Sequence, residues 1–393
     1  MRIAIRADVR GEKIDGLAGH EGIIATRTAP VNTRYLARMR WIHEEPSRGG
    51  YLPLEFLALP GNERMRLGLE GRMPAPPIHH LFGLRSVDAG PGHSTFAMPL
   101  SPWLATGGGL FLGGVAALAG DAPLGGAILS TVAPGVYGAT SELSMNYLRP
   151  AVLDGRELIA RARQINVGTS LGLSEAIVED ARGRMLAHLT SRYFLRRLDP
   201  VPLAGDTPVV PPVAYDTPDP YLRPIDDDVS LDPKWFESSG LELFRGLAGG
   251  SIPPAPFMKL LGMRPVEAAE GAVAFSIVAS RWLTSPARTV YGGVIAFVAD
   301  AALTAAVATT IPAGSSGAPL DVKVQYLRPG IADDSEWIAR GTVVHRGHSL
   351  AIAQAEIVNA EGKQIALATG SSMILEGRPW SSISVIDEGV AEV

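Results

Sequence analysis

One fixed interval runs through this chain of 393 residues and constrains its fold more than any other feature. Trp103-Leu104 recurs as Trp282-Leu283, Gly113-Gly114-Val115 as Gly292-Gly293-Val294, and Asp121 as Asp300. Tyr147-Leu148-Arg149-Pro150 recurs as Tyr326-Leu327-Arg328-Pro329. Arg161 pairs with Arg340, Gly168 with Gly347, Ser170 with Ser349 and Gly183 with Gly362, and upstream Gly83 pairs with Gly262 and Arg85 with Arg264. Every pair is 179 residues apart. An insertion in either copy would break that register, so the chain is a duplicated domain.

Composition narrows the class. Hydrophobic residues make up 46% and charged residues 19%, which is enough apolar material to bury a core and excludes global disorder. The 35 basic and 40 acidic side chains leave a net charge of −5, against the basic footprint of a nucleic-acid binder. With no cysteine, disulfides, zinc–thiolate sites, iron–sulfur clusters and a thiol nucleophile are all excluded. Residues 1–10 carry no apolar signal-peptide region, and a cytoplasmic location is expected. Residues 107–138 and 290–314 each hold a single charge, Asp121 and Asp300, and so imitate membrane spans. Pro123, Pro134, many small residues and the absence of flanking basic clusters argue instead for helices buried on all sides within a core, with no membrane span.

Each copy reads alike. An extended stretch, 271–279 in the second copy, leads to an apolar segment of helical length from Tyr291 to about Thr309. Residues 320–326 and 143–147 then alternate apolar and polar, the mark of a strand with one buried face. Three further β-rich runs follow at 336–345, 349–358 and 363–375, with Asn359-Ala360-Glu361-Gly362 as the turn between the last two. One all-apolar helix among about five antiparallel strands predicts an α+β domain whose sheet wraps around the helix. The expected domains are 61–198 and 238–377, joined by a Pro- and Asp-rich linker, 199–237. Residues 1–60 have no sequence counterpart in the second copy, and 378–393 form a short tail.

The chemistry-bearing pattern is a Gly-Gly pair followed by an aspartate eight residues after the first glycine. Bare backbone N–H groups at a helix start can hold a carbonyl and stabilise its oxyanion. An aspartate inside an apolar helix is costly unless something uses it. Eight residues at ~1.5 Å rise place it roughly 12 Å from its own glycines, too far to serve the same carbonyl. If the two helices pack antiparallel, Asp300 comes to Gly113-Gly114 and Asp121 to Gly292-Gly293, and the sites lie between the copies.

Tyr291-Gly-Gly-Val-Ile-Ala-Phe-Val-Ala-Asp300, residues 320–329 and Val344-His-Arg-Gly-His-Ser349 resemble the hotdog-fold acyl-CoA thioesterases, most of all their phenylacetate-pathway (PaaI-like) type. The resemblance covers roughly 83–190 and 262–375 and implies a tandem double hotdog. In that family a His-Gly-Gly opens the central helix, an acid nine residues after the His acts as base or nucleophile, and a Thr one turn later assists. Gly292, Gly293, Asp300 and Thr304 match, as do Gly113, Gly114 and Asp121. The family His is replaced by Tyr291 and Leu112, and the Asn six residues before it by Ser285 and Thr106. The first copy has Gly125 for the Thr and Pro123 two residues after Asp121, which should kink that helix, though it keeps a hydroxyl at Thr140. Asp300 is therefore the expected working carboxylate and Asp121 the degenerate one. The resemblance also implies that Arg346 could face the phosphates of coenzyme A.

Other motifs read as structure. Gly168-Thr-Ser-Leu-Gly172 fits a nucleophile elbow, but strands are expected on both sides where the elbow needs a following helix. The eight histidines show no metal spacing, and Gly107-Gly-Gly109 is no dinucleotide fingerprint. Trp103 and Trp282 read as core or interface anchors. The expected function is hydrolysis of an acyl-CoA thioester: Gly113 or Gly114 holds the carbonyl, Asp300 acts as general base or nucleophile, and Thr304 or Thr106 positions the water. Gly292, Gly293, Tyr291, Ser285 and Thr140 line the substrate side. No metal or cofactor beyond the substrate's own CoA is implied, and a dimer of double hotdogs is expected. The alternative is a non-catalytic acyl-thioester-binding or assembly protein on the same fold.

Overall fold

The computed structural model describes residues 42–153, 156–198, 213–225, 229, 235 and 237–379. The first copy runs α1 (Gly61–Leu69), α2 (Pro77–Phe82), β1 (Arg85–Gly90), β2 (His93–Pro99), α3 (Val115–Leu129), β3 (Val136–Tyr147), β4 (Glu157–Val167), β5 (Leu171–Glu179) and β6 (Met185–Arg197). The second repeats it as α4 (Gly240–Gly249), α5 (Pro256–Leu261), β7 (Met263–Ala269), β8 (Ala272–Val278), α6 (Gly292–Ala308), β9 (Ser316–Tyr326), β10 (Glu336–Arg346), β11 (Leu350–Val358) and β12 (Gln364–Leu375). Within each copy all strand pairs are antiparallel and curl around the central helix, α3 or α6. This is a tandem double hotdog of the α+β class.

The two sheets fuse into one of twelve strands, in the order β1-β2-β4-β5-β6-β3-β9-β12-β11-β10-β8-β7. The seam is the antiparallel pair β3–β9, in which Ser144 faces Lys323. Those two residues are themselves equivalents at the repeat interval, so the pseudo-twofold axis passes through that pair. Antiparallel pairing across the axis forces the central helices to run antiparallel beneath the seam.

The two apolar stretches are the central helices. Every residue of α6 from Gly293 to Leu303 is buried, as expected of a helix that is hydrophobic all round inside a soluble core. Among the described residues no helix is long and apolar enough to cross a membrane. In α3, Pro123 lies inside a continuous helix, because the Tyr291 hydroxyl enters the ladder beside it. It accepts from Ala122 N–H at 2.7 Å and donates to the Leu118 carbonyl at 3.1 Å.

The structure corrects one expectation. Part of the N-terminal extension does have a counterpart, in the linker. Trp282 Nε1 donates to the carbonyl of Glu45 at 3.0 Å, and its equivalent, Trp103, donates to the carbonyl of Arg223 at 2.8 Å. The strap ahead of each copy thus lies on the other copy, and Arg223 ties the two straps through a bidentate bond to Glu45 at 2.7 and 2.8 Å. The described linker is also anchored by Asp219, which accepts from Arg48 at 2.7 Å and lies 3.1 Å from His80. The remaining extension, 1–41, the linker stretch 199–212 and the tail from 380 lie outside the described residues.

Helices α1 and α4 each start against the C-terminal end of their own copy's central helix. A Cβ on Gly61 would overlap the Leu129 carbonyl, and one on Gly240 the equivalent Ala308 carbonyl, so each helix can start only at glycine. Gly240→Ala is expected to cost at least about 2 kcal/mol in urea denaturation, through displacement of the α4 start from the α6 end. Gly249→Ala, whose Cβ meets nothing within 4 Å, should be neutral or stabilising by up to about 1 kcal/mol. Equal effects at the two positions would contradict this packing.

Candidate active site

The helix crossing is built on glycine. A Cβ on Gly114 would lie 2.8 Å from the Phe297 Cα, and one on Gly293 would lie 2.5 Å from the Ala117 carbonyl oxygen. Only bare backbone allows α3 and α6 to approach this closely, and the approach sets the N-terminus of each helix against the middle of the other. Asp300 Oδ2 accepts from Gly114 N–H at 2.7 Å. Asp121 Oδ2 accepts from Gly293 N–H at 3.0 Å. The helix rise and the repeat together predict this crossed pairing, and the structure brings all four residues together.

The second oxygens differ. Asp300 Oδ1 accepts from the Tyr147 hydroxyl at 3.2 Å, whereas Asp121 Oδ1 accepts from Thr140 Oγ1 at 2.8 Å. Both carboxylates are buried. Burial pushes each pKa up to about 6, opposed by the Gly114 and Tyr147 bonds at Asp300 and by the Thr140 and Gly293 bonds at Asp121. Burial and the neighbouring Asp300 charge raise the Tyr147 phenol far above its usual range, so it remains a donor to the carboxylate.

The surroundings break the symmetry. Ala301 and Thr304, which follow Asp300 on α6, line a cavity of about 120 Å³ together with Thr106 and Phe111 of the first copy and Trp235 and Phe244 at the α4 side; Asp300 itself is not in the lining. Around Asp121, tyrosines take up the equivalent space. The Tyr193 hydroxyl lies where a Cβ on Gly125 would be, and the Tyr291 ring packs against Gly293. Burial and the Asp121 charge raise the phenols of Tyr193, Tyr291 and Tyr326. At the repeat interval, Tyr193 corresponds to Ser372, Gly125 to Thr304 and Tyr291 to Leu112, so smaller aliphatic or hydroxyl side chains replace two aromatic rings on the Asp300 side.

The other expected residues are placed as follows. Gly113 lies under the Tyr147 ring, and among the described residues its N–H has no acceptor. The Gly292 carbonyl accepts from the Tyr326 hydroxyl at 2.8 Å. The Ser285 hydroxyl lies 3.3 Å from Thr289 Oγ1 in the turn before α6, whereas its equivalent, Thr106, is buried with no hydrogen-bond partner among the described residues. Arg346 is not joined to the site: it ends β10 and donates to the carbonyls of Gly347 and His348 in its own turn. Gly168–Gly172 lies between strands β4 and β5, so no nucleophile elbow exists there. Two participants escape sequence reasoning, Tyr147 and Trp235. The repeat of Tyr-Leu-Arg-Pro flags Tyr147, but its bond to Asp300 is specific to one copy, since Tyr326 bonds a carbonyl instead.

The model of the Thioesterase superfamily matches residues 109–187 and 287–366, one match per repeat. Each copy therefore matches that superfamily's model over its central helix and the strands that follow. Among solved structures it is similar to a tesB protein of Mycobacterium avium subs paratuberculosis, at 15% identity over 76% of this chain and 97% of that one, with a TM-score of 0.47. It is also similar to a putative thioesterase of Novosphingobium aromaticivorans, at 17% identity over 74% and 98% of the two chains, with a TM-score of 0.46. The PaaI protein from the phenylacetic acid degradation operon of E. coli is 26% identical over 30% of this chain and 84% of that one, with a TM-score of 0.29. No curated protein matches significantly.

The two buried carboxylates predict a pH-dependent stability. An acid whose pKa is raised on folding favours the folded state in its protonated form, so its contribution is fullest below about 4 and is lost as pH rises through about 6. Asp121→Asn removes that dependence at one site. Relative to the wild type, the variant should gain up to about 3 kcal/mol between pH 4 and pH 7 in urea denaturation. A constant difference across that range would mean that Asp121 titrates as it does in the unfolded chain.

Proposed function

We propose that the chain hydrolyses acyl-CoA thioesters at the Asp300 site. The observation that carries this reading is the asymmetry of the two crossed carboxylates: the α6 residues that follow Asp300, Ala301 and Thr304, line an apolar cavity, and tyrosines crowd Asp121. In this reading the acyl group enters the cavity. The Gly114 N–H is already held by Asp300, so the free Gly113 N–H at the positive end of α3 receives the thioester carbonyl and stabilises its oxyanion. Asp300 takes a proton from water held by Thr304 or Thr106, and the water oxygen bonds to the carbonyl carbon. Collapse of the tetrahedral intermediate breaks the C–S bond, and the proton passes to the departing CoA thiolate. Direct attack by Asp300 would instead form a mixed anhydride, which water then cleaves. A single turnover in ¹⁸O-water separates the routes: direct attack by water puts the label in the product acid, whereas cleavage of the anhydride at the Asp300 carbonyl puts it in Asp300.

A second reading, a binding protein without turnover, is favoured by one observation: both oxygens of each aspartate already have donors, so capping of the partner helix alone would account for the pairing. Rates of CoA release decide between them. Asp300→Asn should lower kcat by about 10²–10⁴-fold, the usual loss for a general base, with Asp121→Asn within a few-fold of wild type. An Asp300→Asn rate within twofold of wild type removes Asp300 from the chemistry, and thioester binding without turnover in the wild type supports the second reading.

The base must be ionised to act. With the Asp300 pKa at about 6, kcat/KM should rise with pH through that value and level off above it. A profile falling with pH over that range would contradict the role. Self-association is part of the proposal: Ile165, Leu171 and Phe194 are exposed together with their repeat equivalents Val344, Leu350 and Met373, leaving matched apolar patches for a second copy. Sedimentation velocity should show a species of at least twice the chain mass, and a monomer at micromolar concentration would exclude it.

A further inference from the structure

One side chain touches both Asp300 and Gly113. The Tyr147 hydroxyl donates to Asp300 Oδ1 at 3.2 Å, and its ring packs over Gly113, where a Cβ would lie 2.6 Å from the ring carbon that bears the hydroxyl. The other polar neighbour of that hydroxyl is the Met145 sulfur at 3.9 Å, a weak acceptor, so the single phenolic proton goes to the carboxylate.

Comparison with the second copy shows that the scaffold does not impose this contact. Tyr326, the repeat equivalent of Tyr147, donates to the Gly292 carbonyl at 2.8 Å instead. The backbone differs with it. Helix α6 begins at Gly292, whereas α3 begins at Val115, two residues later in the repeat. The entry to α3 is a tighter turn: Ala116 N–H bonds the Gly113 carbonyl at 3.0 Å and Ala117 N–H the Gly114 carbonyl at 2.9 Å, each spanning three residues. The donors to the second carboxylate oxygen differ for a chemical reason. Thr140 serves Asp121, but its equivalent in the second copy is Pro319, which has no hydroxyl. Asp300 is therefore held by first-copy groups alone, Gly114 N–H and Tyr147, whereas Asp121 takes one donor from each copy.

Such a hold bears on the chemistry. A base and an oxyanion donor must keep a fixed separation, because a small misplacement of reacting groups costs rate. Gly113 and Gly114 are adjacent, so tying Asp300 to Gly114 and Tyr147 fixes it relative to the Gly113 N–H. A donor to a carboxylate also favours its charged form. Among the described residues on the elements packed against α6, Tyr147 is the titratable group that acts on Asp300. Burial, then Asp300, then Asp321 of β9 raise the phenol, so it stays a donor. Resting on the hydrolase reading above, we propose that Tyr147 is the positioning residue of the Asp300 site. Its hydroxyl and Gly114 N–H orient the carboxylate, and its ring covers Gly113, so the base stands in register with the N–H that receives the thioester carbonyl.

The test takes whichever of butanoyl-, dodecanoyl- and benzoyl-CoA the wild type turns over fastest and records kcat, KM and the pH profile of kcat/KM. Tyr147→Phe keeps the ring over Gly113 and removes the hydroxyl. It should lower kcat by about tenfold or more with KM within about threefold, and move the rise of kcat/KM to higher pH by about one pH unit, because the ionised base has lost a donor. Replacement of Tyr147 alone by 3,5-difluorotyrosine strengthens the donor and should move the rise to lower pH, a direction that a packing defect does not produce. Tyr326→Phe removes a bond to a carbonyl and should leave the profile in place. Thermal midpoints check folding, and if Tyr147→Phe does not fold, the difluorotyrosine variant decides alone. In folded protein, an unmoved profile on changing Tyr147, an equal shift in Tyr326→Phe, or a change confined to KM would each overturn the inference. If no thioester is turned over, the hydrolase reading fails separately. Titration of the Asp300 carboxyl carbon by ¹³C NMR, assigned by its loss in Asp300→Asn, then applies the same shifts as the criterion.

Discussion

The close crossing of α3 and α6 is the constraint on which the rest of the molecule depends. Glycines at the crossing remove the side chains that would separate the helices, and two buried carboxylates then reach the first N–H groups of the opposite helix. Neither half can be made alone. A single copy would leave its aspartate without the backbone N–H of the opposite helix and its helix N-terminus without an acceptor, both costly in an apolar core. Duplication, the fused sheet and the exchanged straps all serve to hold that crossing in register.

Symmetry at the backbone coexists with divergence at the side chains. The same scaffold encloses a cavity at one carboxylate and tyrosine rings at the other, and only a few positions separate the outcomes: Tyr193 against Ser372, Tyr291 against Leu112 and Gly125 against Thr304. The tyrosine at 291 has a compensating part, because its hydroxyl bridges the α3 ladder next to Pro123. Thus one tyrosine both packs against Gly293 on the Asp121 side and bridges the α3 ladder next to the proline. The intact carboxylate pairing at Asp121 shows that this site remains a structural tie between the copies.

Much of this was legible in the sequence, for identifiable reasons. The repeat is linear information, and helical rise converts the Gly-Gly-to-Asp spacing into a distance, so the crossed pairs Asp300–Gly114 and Asp121–Gly293 follow once the two helices are taken to pack antiparallel. The straps were hidden because the Trp103 and Trp282 indoles bind carbonyls of Arg223 and Glu45, and a backbone acceptor leaves no residue signature. Tyr147 was visible as part of a repeated motif, but its partner depends on which copy it faces. The role of Trp235 required knowing that a residue in the linker folds over Gly107. Arg346 was placed by resemblance alone, and the strand that carries it ends in a turn of its own.

The central claim is that substrate binds at one of two pseudo-equivalent sites. A crystal structure with an acyl-CoA analogue in which a methylene replaces the thioester sulfur tests it most directly. The account predicts one analogue per chain, its acyl group in the cavity beside Thr304 and its carbonyl oxygen within hydrogen-bond distance of Gly113 N–H. An analogue bound beside Asp121, or one in each site, would contradict it.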